Sequence, residues 1–116
     1  MAHAHRVRGN ADKAVSAGKR AVVLGPNHAL VHADLAYIMV QSGRADDALV
    51  LMRTAMRLHP YYPAYYLVYL GLAQHQVSRY EEARLTWQQL IERARGGGFP
   101  LISAHILAIA TELELG

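Results

Sequence analysis

The sequence contains no cysteine, so disulfides, zinc–thiolate sites and cysteine nucleophiles are excluded. It also lacks any apolar run near the ~20 residues that a membrane helix needs, because polar residues interrupt every stretch. The start, Met1-Ala2-His3-Ala4-His5-Arg6, has no apolar signal core. These absences imply a cytoplasmic protein with no membrane partner. Catalytic signatures are missing as well: no Ser–His–Asp order, no paired carboxylates with a plausible cleft, no phosphate-cradling loop. Gly96-Gly97-Gly98 is not followed by Lys-Ser/Thr and reads as a hinge. The expectation is a protein that is not an enzyme and uses no cofactor.

Acidic charge is sparse where basic charge gathers. Arg6, Arg8, Lys13, Lys19 and Arg20 against Asp12 give the first twenty residues 5 − 1 = +4, while the whole chain carries +3. The stretch has no aromatics to stack on bases, so a solvated helix face is expected rather than a nucleic-acid site.

What the chain does have is a 34-residue echo. Gly9, Ala14, Ala21, Leu24 and Pro26 return as Gly43, Ala48, Ala55, Leu58 and Pro60. A period of ~34 residues is that of helix–turn–helix solenoids, whose units stack so that each contacts only its neighbours. At 116 residues the chain is one domain. Periodicity and punctuation predict helices over 11–24, 28–41, 45–58, 63–76, 80–94 and 100–114. Gly25 is expected to supply a left-handed cap before Pro26, Asn27 to cap the second helix, and Pro63 to open the fourth. Gly18 inside the first helix points to close packing against a neighbour, since glycine there costs ~1 kcal/mol against alanine.

These residues resemble the tetratricopeptide repeat (TPR) family. Residues 29–62 carry Leu35-Ala36, Gly43, Ala48, Ala55 and Pro60 in the family's order. Residues 64–97 carry Leu67, Leu70-Gly71, Tyr80, Ala83 and Trp87, but put Ser78 at the turn glycine, Leu90 at the second alanine and Arg95 at the proline. The resemblance implies an all-α, right-handed superhelical solenoid of about three units. Residues 1–28 form a partial first repeat, 29–62 and 64–97 the second and third, and 100–116 a terminal helix, half of a fourth. Residues 1–8 are expected to be the tail of a preceding helix, making the chain a fragment. A narrower likeness runs from Ala55-Met56-Arg57-Leu58-His59-Pro60 through Tyr61-Tyr62-Pro63-Ala64-Tyr65-Tyr66, with Leu70-Gly71-Leu72-Ala73 and Arg79-Tyr80-Glu81-Glu82-Ala83. It is similar to the TPR segments of bacterial class III adenylate/guanylate cyclases, which implies a regulatory module of a larger signalling enzyme.

By the same resemblance, Leu30, Ala33, Asp34, Tyr37, Val40 and Gln41 line an inner groove in one unit. Tyr65, Val68, Tyr69, Leu72, His75 and Gln76 line it in the next. Five of the seven tyrosines lie at positions 61–69; Tyr62 and Tyr66 are expected to pack between helices, leaving Tyr65 and Tyr69 for the groove. Stretches 28–42, 61–78 and 100–116 contain no Lys or Arg. Chaperone-binding TPR adaptors hold a terminal carboxylate with such residues, and this groove has none. An apolar or weakly basic protein segment, either peptide or helix, is the partner implied.

The last helix carries Leu101, Ile102, Ile106, Ile109 and Leu113 and is too apolar all round for a solvated cap. A homo-oligomer or a covering segment of a longer parent chain is expected there. His28 and His32 stand one helical turn apart, at metal-ligand spacing, with Asp34 and the His3/His5 pair as further candidates. Zinc needs three or four ligands and the sequence fixes no third, so no metal is expected.

Overall fold

The computed structural model describes residues 2–115, with side chains from residue 9 onward. Its six helices are α1 (Ala2–Leu24), α2 (Ala29–Gln41), α3 (Ala45–Leu58), α4 (Tyr65–Gln76), α5 (Tyr80–Arg95) and α6 (Leu101–Leu115). The described residues contain no strand. Two compact units divide the chain, Met1–Pro60 and Tyr61–Gly116.

In the first unit α2 packs on α1 and α3. Alanines make the close approach possible: Ala33, Ala36, Ala48 and Ala55 are fully buried, with Leu35, Met39, Leu49 and Met52 filling the space between them. Gly18 belongs to the same logic, because a Cβ there would fall 2.5 Å from Leu35 Cδ1. The N-terminal helix differs from expectation. α1 runs unbroken through Gly9 and Asn10, so Gly9 is not the turn that Gly43 makes in the echo. No proline interrupts residues 2–24, and one interior glycine costs a helix only ~1 kcal/mol.

The junction after α1 also corrects the sequence reading. Gly25 is not left-handed; its N–H still bonds Ala21 O at 2.9 Å, and the helix ends because Pro26 has no N–H to offer. The residue at the start of α2 is His28, not Asn27, and it makes no side-chain cap.

α2 and α4 end on the same Schellman turn. Gly43 N–H bonds Val40 O at 3.1 Å and Arg44 N–H bonds Met39 O at 2.7 Å. Thirty-five residues on, Ser78 N–H bonds His75 O at 3.0 Å and Arg79 N–H bonds Gln74 O at 2.9 Å. The pivot residues have φ of 76° at Gly43 and 65° at Ser78, so a serine holds a backbone conformation that suits glycine. α5 ends in the same way around Gly97, where a hinge was expected.

In the second unit α5 packs on α4 and α6. The α-helical bonding of α4 begins at Tyr65, two residues after Pro63, because Tyr66 and Leu67 first make i→i−3 bonds to Pro63 and Ala64. The core is built on Trp87, Tyr66, Leu67 and Leu90, all buried, with Gly71 beneath the indole. Thr111 is the one polar side chain of α6 that is buried. Its Oγ1 accepts the Trp87 indole N–H at 2.8 Å and lies 2.9 Å from His75 Nδ1. One hydroxyl thereby joins α4, α5 and α6, and satisfies a buried donor that would be costly alone.

Candidate peptide-binding surface

A helix that packs on one side leaves a stripe at i, i+4, i+7, i+11 for the other. On α2 that stripe is Leu30, Asp34, Tyr37 and Gln41; Leu30, Asp34 and Gln41 are exposed and Tyr37 is half-buried. Ala33 and Val40, expected on the same surface, are buried instead. Each lies about a fifth of a turn to the side of the stripe, which places them against the core, and they offer no surface to a ligand.

On α4 the corresponding stripe is Tyr65, Tyr69, Leu72 and Gln76; the first three are half-buried and Gln76 is exposed. The Tyr65 and Tyr69 rings meet edge to face, 5.4 Å apart at 62°, and Tyr65 meets Tyr66 the same way at 5.1 Å and 72°. Rings held like this lose little freedom when a ligand lands on them. Tyr66 is buried, and Tyr62 stacks on it at 6.0 Å. Val68 and His75 stand beside the stripe at the positions that Ala33 and Val40 hold on α2, but are half-buried where those two are buried. His75 is engaged by Thr111 and by the edge of the Tyr80 ring, 5.1 Å away. It serves the packing of α6 more than the surface.

α6 repeats the spacing with Ile102, Ile106, Ile109 and Leu113, all exposed. Ala104 and Thr111, its buried residues, lie on the opposite side of the helix. Leu101 is exposed but stands about a quarter-turn off the stripe. The sequence treated these residues apart from the groove residues of α2 and α4. In the structure they hold the same helical positions, counted from a small residue on each helix: the buried Ala36 on α2 and Gly71 on α4, and the half-buried Ala108 on α6.

Surface clefts were not foreseen, among them one lined by apolar side chains of α1, α2 and α3. In the first unit Lys19, Val22, Val23, Val50 and Leu51 surround about 490 Å³ floored by Leu35 and Met39. Val23 and Val50 are largely exposed. The Val22-Val23 pair at the end of a helix was the available signal, since only one of two adjacent residues can face the core.

The paired histidines have different surroundings. His32 Nε2 donates to Pro26 O at 2.7 Å, so that nitrogen carries a proton, and His28 is exposed. His32 Nδ1 is buried with no hydrogen-bond partner among the described residues. No cluster of three metal-ligating side chains occurs among the described residues; the side chains of His3 and His5 lie outside them. No described helix is long and apolar enough to cross a membrane.

No protein-family model and no curated protein matches the sequence. Among solved structures, the TPR domain of Sgt2 from Aspergillus fumigatus is similar, with a TM-score of 0.76 and 21% identity over 97% of this chain and 73% of that chain. The chain therefore has the all-α, TPR-type helix–turn–helix fold that its repeat pattern implies.

Proposed function

We propose that the protein is a non-catalytic interaction module, and that the α4 stripe of Tyr65, Tyr69 and Leu72 receives an apolar or weakly basic peptide or helix. The observation that carries this reading is the tyrosine pair, semi-exposed on one face and braced edge to face. Braced aromatics give contact area at low entropic cost. α2, α4 and α6 carry no Lys or Arg, so the surface disfavours acidic ligands, and the exposed Asp34 gives the α2 stripe a preference for positive charge. A cytoplasmic setting belongs to the same reading.

The test uses a fluorescently labelled amphipathic helix of Leu and Lys as probe. The Tyr65→Ala, Tyr69→Ala double variant is expected to bind it at least ~10-fold more weakly, a loss of about 1.4 kcal/mol, with unchanged helical circular dichroism. Equal affinity in anisotropy titrations rejects the assignment.

A second reading rests on the likeness of residues 55–83 to cyclase TPR segments. It makes this chain the regulatory part of a larger bacterial signalling enzyme. A coding sequence that continues in frame into a cyclase domain supports it, and one that does not removes it.

A further inference from the structure

The apolar stripe of α6 is more exposed than any large apolar residue of α2 or α4, and the spacing it shares with their stripes is filled here by four apolar side chains. Ile102, Ile106, Ile109 and Leu113 are separated by four, three and four residues, which reads the same in both directions about a point between Leu107 and Ala108. We infer that α6 pairs antiparallel with α6 of a second copy of this chain across a two-fold axis at that point. Ile106 then meets Ile109 of the second copy, and Ile102 meets Leu113. The 4-3-4 spacing is that of a coiled-coil seam, and a two-fold contact needs a surface complementary to itself.

Two further observations select this occupant. The first is area. The four side chains are 76%, 60%, 55% and 76% exposed in chain order. They leave on the order of 500 Å² uncovered on each copy, and about 1,000 Å² for the pair is the lower bound of specific interfaces. The second is polar complementarity. Beside the stripe stand His105 and Glu112, both exposed and on the same side of the helix. Antiparallel pairing sets His105 next to Glu112 of the second copy, within hydrogen-bonding reach, whereas parallel pairing puts the two on opposite flanks of the seam. Glu112 is also held in place by its own chain: both carboxylate oxygens bind Arg84, at 2.9 and 3.1 Å. The pairing goes beyond the peptide surface of α4 and stands or falls apart from it, because Tyr65 and Tyr69 take no part.

Light scattering over a concentration series tests the pairing. At about 100 µM, where an interface of this size is expected to be occupied, the mass should approach twice the 12.8 kDa of one chain. Ile106→Glu should return it to one chain with helicity intact. A wild-type monomer at that concentration overturns the inference and leaves the stripe to a different protein; so does a dimer that survives Ile106→Glu. Orientation is read by disulfide trapping, since the chain has no cysteine of its own. Under a mild oxidant, Ile102→Cys mixed with Leu113→Cys should give the mixed disulfide. A disulfide between two Ile102→Cys chains instead overturns the antiparallel arrangement.

Discussion

The six-membered ring of Trp87 occupies the space that a side chain on Gly71 would need. A Cβ at residue 71 falls 2.5 Å from Cη2, 2.6 Å from Cζ3 and 2.7 Å from Cζ2. Three ring atoms close in together, and the ring is fixed at its far side by the bond to Thr111.

Gly71→Ala is therefore expected to destabilise the protein by about 1–3 kcal/mol, despite the ~1 kcal/mol that alanine gains in a helix interior. Gly18→Ala provides the contrast. Its hard contact is Leu35 Cδ1 alone, with the next atoms at 3.4 and 3.5 Å. A terminal methyl can swing aside, and the helix gain offsets the crowding, so that variant should stay within about 1 kcal/mol of wild type. Urea denaturation of both variants separates the two cases.

Thr111→Val preserves shape and removes the acceptor for the Trp87 N–H, which is buried. A loss of about 1–3 kcal/mol is expected. If the unpaired indole is the cause, Thr111→Val should cost much less in a Trp87→Phe background. The double-mutant cycle measures that coupling directly.

Ser78 holds φ at 65° where Gly43 holds 76°. The left-handed region costs an L-residue roughly 1–2 kcal/mol. Ser78→Gly is expected to stabilise the protein by about 1 kcal/mol, less the glycine entropy of the unfolded chain. Gly43→Ala should destabilise by a similar amount. An unchanged melting temperature in both would contradict the shared-turn account.

Leu90 stands where the repeat pattern has alanine, at the position of Ala55 in the preceding repeat. A change toward the pattern looks stabilising from sequence alone. Leu90 is fully buried, however, and Leu90→Ala empties part of the core around Trp87. The expected cost is about 2–5 kcal/mol.

Much of this architecture is legible in the residues. α3 falls on its expected bounds and α2, α5 and α6 within a residue of theirs, because Gly, Ser and Pro at the joints act locally and the apolar spacing acts along one helix. Local rules fail where two choices differ by little energy. Gly9 tolerates a helix as readily as it allows a turn, and Asn27 and His28 both fit the start of α2. The surface was half legible. The repeat resemblance named Tyr65, Tyr69 and Leu72 for the surface, and on α2 it named Ala33 and Val40 together with Leu30, Asp34, Tyr37 and Gln41, although those two lie about a fifth of a turn off that stripe and neighbouring helices bury them. Thr111 carried no signal at all, since a threonine among isoleucines declares its role only when Trp87 and His75 arrive beside it.

Trp87 is the single tryptophan of the chain, and it belongs to the unit that begins at Tyr61. The protein thus carries one indole fluorophore, excitable at long wavelengths where its tyrosines do not absorb, seated where α4, α5 and α6 meet. Its emission reports on that half of the molecule alone, with no label attached. Undocking of α6 breaks the bond to Thr111 and admits water to the indole, which shifts the spectrum to the red. Loss of order confined to α1–α3 leaves the tryptophan signal in place while helical dichroism falls. Recorded on one sample, the two signals measure the melting of each half separately.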